Sequence, residues 1–394
     1  MAATILCEGE TVLKNVPDLH DVRQMQTLLR QLGVKSERAE NGDLHLRAED
    51  EMNCHAEYEL VSRMRASVCV MGPLIAKRKR AQVAMPGGCA IGYRPINLHL
   101  HGLGALGADS ELAGGDIQLR AKKLKGTEIF LGGAFGSSVT ATANVMMAAT
   151  LAEGRTVIES AACEPEVTDL ADFLNACGAQ ITGSGTPRIT IDGVASLKGG
   201  EHRVISDRIE AGTFMIAAAI TNGELELNNA RLEHMIAVVD RLRRVGIIIE
   251  RGEKGISVSS TRRLEPIEIT TQPYPGFPTD VQAQTTALLC LADGNSVIND
   301  KVFPDRFLHI AELNRMGANI HRAGNTVIIH GVKRLIGAPV MASDLRASAA
   351  LVLAGLIAKG RTRISRTYHI DRGYERIEEK LVAVGAEIRR VGES

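Results

Sequence analysis

No tryptophan occurs in this sequence, and only 3% of its residues are aromatic. Binding single-stranded nucleic acid or sugars by ring stacking needs such residues in number, which argues against both classes. Neither sign of charge is in excess, because 46 lysines and arginines match 46 aspartates and glutamates. A nucleic-acid surface or an acidic partner site would unbalance that sum. The seven cysteines (Cys7, Cys54, Cys69, Cys89, Cys163, Cys177 and Cys290) are scattered, with no CxxC pair and no histidine-rich cluster beside them. Such a set reads as reduced thiols, not as a disulfide frame or a zinc site. GxxxxGK[ST] is missing, as is a GxGxxG set between a strand and a helix, so the fingerprints of triphosphate and dinucleotide binding are absent. The first residues, MAATILCEGET, lack the basic and apolar stretches of a signal peptide, and the longest apolar segment, 347–358, is too short to span a membrane. The expectation is a cytoplasmic protein with no metal and no membrane or nucleic-acid partner.

What the sequence does have is length and repetition. Its 394 residues are enough for two domains, each with its own core, built from Ala, Leu, Ile, Val and Met. An apolar stretch ending in Gly and a small or apolar residue recurs six times, at Gly33, Gly107, Gly178, Gly246, Gly317 and Gly385. The intervals are 74, 71, 68, 71 and 68 residues. Each glycine suits the position that closes a helix in a left-handed turn, with a strand to follow. A second glycine lies 23 to 25 residues before five of these, at Gly9, Gly154, Gly223, Gly294 and Gly360. The last four of that set follow Ala-rich runs apolar nearly all round, which predicts buried helices. One repeat is therefore buried helix, glycine turn, strand, amphipathic helix, glycine cap, strand. Six repeats of roughly 70 residues suit two compact three-repeat domains better than a solenoid. The glycines and polar residues of 197–206 supply the boundary, giving domains 1–204 and 205–394.

The second repeat departs from this pattern. Where the others keep a glycine turn it reads LIAKRKRAQVAMPGGC, and the stretch Gln82–His101 carries Cys89 behind Gly87 and Gly88, five residues before Arg94. A thiol among glycines and near a cation is a candidate reactive group, against the plainer reading of a small apolar residue filling a turn. His99 and His101 alternate in LHLHG, which predicts one face of a strand and a structural role.

Charged residues recur at helix starts. Buried helices open with Arg65, with Asp207 and Arg208, with Asp280, and with Asp344 and Arg346; amphipathic ones open with Glu164 and Glu166, with Asp305 and Arg306, and with Asp371 and Arg372. Helix N-termini present free N–H groups to anions, and arginine adds a planar fork for phosphate or carboxylate. Capping aspartates paired with arginines are the competing reading for any one of them. Taken together, Arg65, Arg94, Arg306, Arg346 and Arg372 predict a polyanionic small-molecule substrate.

At this point PGGCAIGYRPINLHL, MRAS, CEPEVTD, DRIEAGTF, FPTDVQAQ, FPDRFLH, DLRASAALVLAG and YHIDRGYERIEEKL together identify a resemblance. From about Leu6 to its end the chain resembles the UDP-N-acetylglucosamine 1-carboxyvinyltransferases of the enolpyruvyl transferase superfamily. The resemblance implies an α/β fold, a two-domain inside-out α/β barrel of six βαβαββ-like repeats, three per domain, with substrates in the cleft between them. It implies transfer of the enolpyruvyl group of phosphoenolpyruvate to the 3-hydroxyl of UDP-N-acetylglucosamine with release of phosphate, the first committed step of peptidoglycan synthesis. No metal or organic cofactor is implied. Cys89 matches the cysteine that donates a proton to the phosphoenolpyruvate methylene, can hold phospholactoyl covalently, and is alkylated by fosfomycin. Asp280 matches the base that removes a methyl proton as phosphate leaves, and Arg372 is the third catalytic position. Arg65, Arg94, Pro95, Ile96, Asn97, Leu98, Gly136, Ser137, Ser138, Val139, Asp280 and Val302 match positions around the UDP-sugar. Cys89, Arg94, Arg346 and Arg372 match positions that hold phosphoenolpyruvate.

The first repeat is expected to be incomplete. Counting back from Gly9 puts the start of its buried helix before Met1, where the family carries a Lys-Asn pair that touches phosphoenolpyruvate; Lys14-Asn15 lies too far along to serve. The alternative reading is accordingly a non-catalytic UDP-sugar-binding paralogue. A transferase acting on shikimate 3-phosphate shares the six repeats but lacks the PGGC loop, so Cys89 argues against it.

Overall fold

The computed structural model describes residues 1–85, 95–260 and 263–392. Cys89 and Arg94 lie outside the described residues. The chain divides into two compact units, with the break between Ile205 and Ser206.

In both units short helices form the interior and sheets the outside. Met71–Arg78 and Val139–Ala149 pack together in the first unit, as do Arg208–Ile220, Gln282–Leu289 and Leu345–Ile357 in the second. These are the Ala-rich runs of the sequence, and small side chains let their axes approach. The tightest approach is at Gly72, where a Cβ would stand 2.2 Å from the Asn144 carbonyl oxygen. Buried hydroxyls of Thr213, Thr285 and Thr286 donate to the carbonyls of Ile209, Val281 and Gln282, so these three hydroxyls sit in the interior with their protons placed. The strands alternate buried and exposed side chains, as at Val34–Arg38 and Arg188–Asp192, which suits sheets with one face on a core and one in water.

The second, third and fifth repeats run strand, buried helix, strand, outer helix, strand, strand. In the third, Glu128–Phe130 pairs parallel with Arg155–Glu159, which pairs antiparallel with Arg188–Asp192, itself antiparallel to Gln180–Thr182. The first repeat has only the 3-10 turn Ala2–Leu6 where the others have a helix, and its parallel strand is Glu201–Arg203, from the far end of the same unit. In the sixth, Pro339–Met341 pairs with Arg363–Ser365 alone.

All six repeat glycines that close outer helices have positive φ, from +77° at Gly33 to +104° at Gly178 and Gly246. A strand follows five of them. Among the described residues none follows Gly385, and residues 386–392 form no strand. The second repeat keeps its inner turn without a glycine. Lys79 itself adopts the left-handed conformation, φ 60°, between the helix Met71–Arg78 and the strand Arg80–Ala84. The cysteine stretch therefore does not replace the glycine turn, as the sequence suggested; it lengthens the connection from that strand to the helix Asn97–Ala105. That helix also corrects the reading of LHLHG as a strand. Alternation over five residues fits helical spacing as well, and His99, Gly102 and Leu103 share the buried face while His101 is exposed.

Candidate functional site

Each unit gathers a set of the residues singled out in the sequence. In the second, Asp280 occupies the turn Thr279–Val281 that leads into a central helix, and its carboxylate does not cap that helix. Its Oδ1 instead accepts from Arg306 Nη2 at 2.9 Å and from Arg346 Nε at 3.4 Å. Burial works to raise the Asp280 carboxyl, but the two guanidiniums outweigh it and hold the group well below the usual carboxylate range. Arg306 and Arg346 are themselves buried, at 6% and 9% exposure. Arg346 stacks 5.4 Å from the centre of the buried Tyr374 ring, and Arg306 lies 5.8 Å from the Phe303 ring. Gln284 ties this floor together, donating from Nε2 to the Asp280 carbonyl at 2.9 Å and to the Thr213 and Tyr374 hydroxyls at 3.0 and 3.3 Å.

Arg346 stands there because Asp344 caps its helix, accepting from the backbone N–H of Arg346 and Ala347. Among the described residues both arginines keep a buried donor without a partner, Arg306 Nε and Arg346 Nη1. Buried charged donors are costly to leave unmet, so this arrangement suits a bound anion beside a carboxylate. Val302 lies in the turn after the strand Asn295–Asp300, and Arg372 ends the 3-10 turn Thr367–Arg372. Nearby, His309 is buried and neutral: burial pushes it down to about 4, with Arg306 acting the same way and Asp344 opposing.

In the first unit Arg65 opens the 3-10 turn Arg65–Val70 and its Nη2 donates to the Pro95 carbonyl at 3.3 Å. Pro95 and the buried Ile96 lead into the helix Asn97–Ala105, which begins with Asn97 and Leu98. Leu98 lies against Gly133, where an added Cβ would come within 3.1 Å of its Cδ1. Gly133 and Gly136 exchange backbone hydrogen bonds of 2.9 and 3.0 Å, closing a tight turn. Ser137 follows, and Ser138 caps the central helix that starts at Val139 by accepting from Ala141 N–H. Arg65, Pro95–Leu98 and Gly136–Val139 thus come together.

Their support was not foreseen. Asn144 donates to the Val68 carbonyl and meets His99 Nδ1, both at 2.8 Å, while its Oδ1 accepts from Gly72 N–H. Because the amide donates to Nδ1, the imidazole proton sits on Nε2, 3.2 Å from the Thr140 hydroxyl. Burial pushes His99 down to about 3, with Arg65 adding to the effect, so the ring stays neutral. Asn144, Tyr374 and Gln284 are polar groups inside otherwise apolar or quoted motifs; only their interruption of the apolar pattern marks them in the sequence. Among the described residues no cluster of three or more metal-ligating side chains occurs, and no helix is long and apolar enough to cross a membrane.

Comparison with known proteins adds the family. Residues 1–381 match the family described as EPSP synthase (3-phosphoshikimate 1-carboxyvinyltransferase). The chain is 53% identical to the UDP-N-acetylglucosamine 1-carboxyvinyltransferase of Methylacidiphilum infernorum over 99% of its own length and 92% of that protein's. It is 51% identical to the enzyme numbered 1 of that name from Caldanaerobacter subterraneus, covering 99% and 93% of the two chains. In fold it is similar to the enolpyruvyl transferase NikO from Streptomyces tendae, with a TM-score of 0.87 at 23% identity over 98% and 92% of the chains. An EPSP synthase from Acinetobacter baumannii gives a TM-score of 0.74 at 21% identity over 98% and 93%. The chain therefore belongs to the EPSP synthase family of enolpyruvyl transferases, among its UDP-N-acetylglucosamine 1-carboxyvinyltransferases.

Proposed function

We propose that this protein transfers the enolpyruvyl group of phosphoenolpyruvate to the 3-hydroxyl of UDP-N-acetylglucosamine and releases phosphate, the first committed step of peptidoglycan synthesis, in the cytoplasm. One observation carries the reading furthest: a carboxylate, Asp280, held between two buried arginines that each keep a free donor. A substrate bearing a carboxylate and a phosphate satisfies such donors. It also changes the base. Free, Asp280 is a weak base because two cations stabilise its anion; an anion bound to the same guanidiniums offsets their charge and restores its affinity for a proton.

In this reading the 3-hydroxyl oxygen bonds to C2 of phosphoenolpyruvate and releases its proton to solvent, while the Cys89 thiol protonates the methylene and is left as thiolate, giving a tetrahedral adduct. Asp280 then takes a proton from the new methyl group, the enol double bond re-forms, and the C–O bond to phosphate breaks. Arg94, Arg346 and Arg372 hold the phosphate and carboxylate as charge builds. Arg65, Pro95–Leu98, Gly136–Val139 and Val302 hold the UDP-sugar. Phosphate release from phosphoenolpyruvate, measured with and without UDP-N-acetylglucosamine, tests the proposal. Release that depends on the sugar nucleotide and is abolished by fosfomycin at Cys89 is expected. Release dependent on shikimate 3-phosphate instead, or none with either acceptor, would overturn it.

A further inference from the structure

The strand Asn295–Asp300 ends in a carboxylate with 0% exposure, and no cation is among its hydrogen-bond donors. Asp300 Oδ1 accepts from the Thr271 hydroxyl at 2.7 Å and from the backbone N–H groups of Val302 and Phe303 at 3.0 and 2.8 Å. Its Oδ2 accepts from the Thr279 hydroxyl at 2.7 Å. Four donors around an acceptor-only group make burial of the anion tolerable. They also come from three separate segments: the end of the strand Glu268–Thr271, the turn holding Asp280, and the turn holding Val302. A fifth bond, from Lys301 N–H to the Thr271 hydroxyl, closes the set.

The Thr279 hydroxyl gives its single proton to Asp300, which leaves its oxygen free to accept from Arg306 Nη1 at 3.4 Å. The other guanidinium nitrogen, Nη2, donates to Asp280. A continuous line therefore runs from the Asp300 carboxylate through the Thr279 hydroxyl and the Arg306 guanidinium to the Asp280 carboxylate, alternating in charge around one hydroxyl. Such chains polarise each member in the sense that strengthens the next. The line fixes the Arg306 plane, so one edge faces Asp280 while Nε remains unpartnered.

We propose that Asp300, acting through Thr279, is a positioning residue: it orients Arg306 against Asp280 and in the same stroke sets the turn that bears Val302. Its bearing on catalysis rests on the reading of Asp280 and Val302 as substrate-site residues; the orientation of Arg306 does not. Thr279→Val removes only the hydroxyl link and keeps Asp300's other three donors. Thr279→Ser retains the link, and Asp300→Asn removes the charge at nearly constant volume.

Two readouts separate this idea from the reading it rests on. The first is the acid titration of the Asp280 carboxyl in the free protein, followed by carbon-13 NMR and assigned with Asp280→Asn. Releasing Arg306 withdraws a stabilising cation, so the titration midpoint is expected to move to higher pH in Thr279→Val and to return toward the unsubstituted value in Thr279→Ser. The second is steady-state phosphate release, where Thr279→Val and Asp300→Asn are expected to lower kcat by about 10- to 100-fold with a smaller change in KM, a loss that Thr279→Ser largely recovers. An Asp280 midpoint unmoved by Thr279→Val overturns the inference whatever the activity. A moved midpoint in a protein that releases no phosphate with either acceptor leaves the alignment standing and removes the proposed reaction instead.

Discussion

The two units solve the same problem with opposite chemistry. Each must hold the start of a central helix beside a turn that carries site residues, and each does so with a polar cluster in an apolar interior. The first unit uses neutral groups: Asn144, His99 and Thr140, joined so that each amide and ring nitrogen has one defined role. The second uses ions: Asp280, Arg306 and Arg346, with Asp300 behind them. The neutral cluster is closed on itself, whereas the charged one leaves donors at Arg306 Nε and Arg346 Nη1. A closed neutral network rigidifies at little electrostatic cost, while an open charged one is maintained by what it will bind. The difference lies between the two clusters: the neutral one has its groups paired within the protein, and the charged one keeps donors for an anion.

The strongest way to break this contrast is to disable each cluster and ask what is lost. Asp280→Asn removes the proposed base without altering shape, and phosphate release is expected to fall by about 100- to 10,000-fold. Asn144→Leu does the reverse. It strands the Gly72 N–H, the Val68 carbonyl and His99 Nδ1 inside the first unit, and at about 1–3 kcal/mol for each unmet group the protein is expected to lose about 3 kcal/mol or more in urea unfolding. Asp280→Asn outweighing Asn144→Leu in lost stability, with phosphate release intact, would erase the distinction.

How far the sequence foretold these clusters follows from how local their signals are. The glycines that end outer helices were legible because a left-handed turn leaves its mark on one residue, and all six took positive φ. The charged cluster was half legible: Asp280, Arg306 and Arg346 each sit in a charged tripeptide at a helix start, yet nothing in those tripeptides says that two arginines share one carboxylate oxygen. Asn144 was not legible at all. Its three partners lie 45 to 76 residues away, and within its own helix it is one of three polar residues, after Thr140 and Thr142. LHLHG misled for a related reason, since five residues cannot separate a period of two from one of 3.6. The turn at Lys79 was missed because the left-handed conformation, though costly without glycine, is open to other residues where packing demands it.

Acid sharpens the comparison further. His99 in the first unit and His309 in the second are both held neutral by burial, with native values of about 3 and about 4. An unfolded chain takes up these protons near pH 6.5, whereas the native one takes them up only at its lower values. The stability each neutral ring contributes is therefore intact above pH 6.5 and falls with pH, at about 1.4 kcal/mol per pH unit per histidine. The loss should run its course by about pH 4 for His309 and continue toward pH 3 for His99. Urea midpoints at pH 7, 5.5 and 4.5 should flatten by about one histidine's slope in His99→Gln or His309→Gln. An unchanged slope in either would mean that the ring it replaces is not sealed.

The smallest expected effect compares one turn in two units. In the first, Lys79 holds φ 60° and ψ 6°, close to the left-handed well, and its Nζ donates to the Ala76 carbonyl at 2.6 Å. In the second, Gly360 makes the matching turn at φ +101° with nothing within 4 Å of where a Cβ would stand. Lys79→Gly relieves a left-handed cost of about 1–2 kcal/mol, but glycine gives back about 0.5–1 kcal/mol in chain entropy and the bond to Ala76 is lost, so stability should move by less than about 0.5 kcal/mol. Gly360→Lys places a side chain some 40° beyond that well, at a cost of about 1–3 kcal/mol that is entirely backbone because space is free. Equal and small effects from both exchanges would show that the turn at Gly360 relaxes to the φ of Lys79, and that the two units differ there in residue but not in geometry.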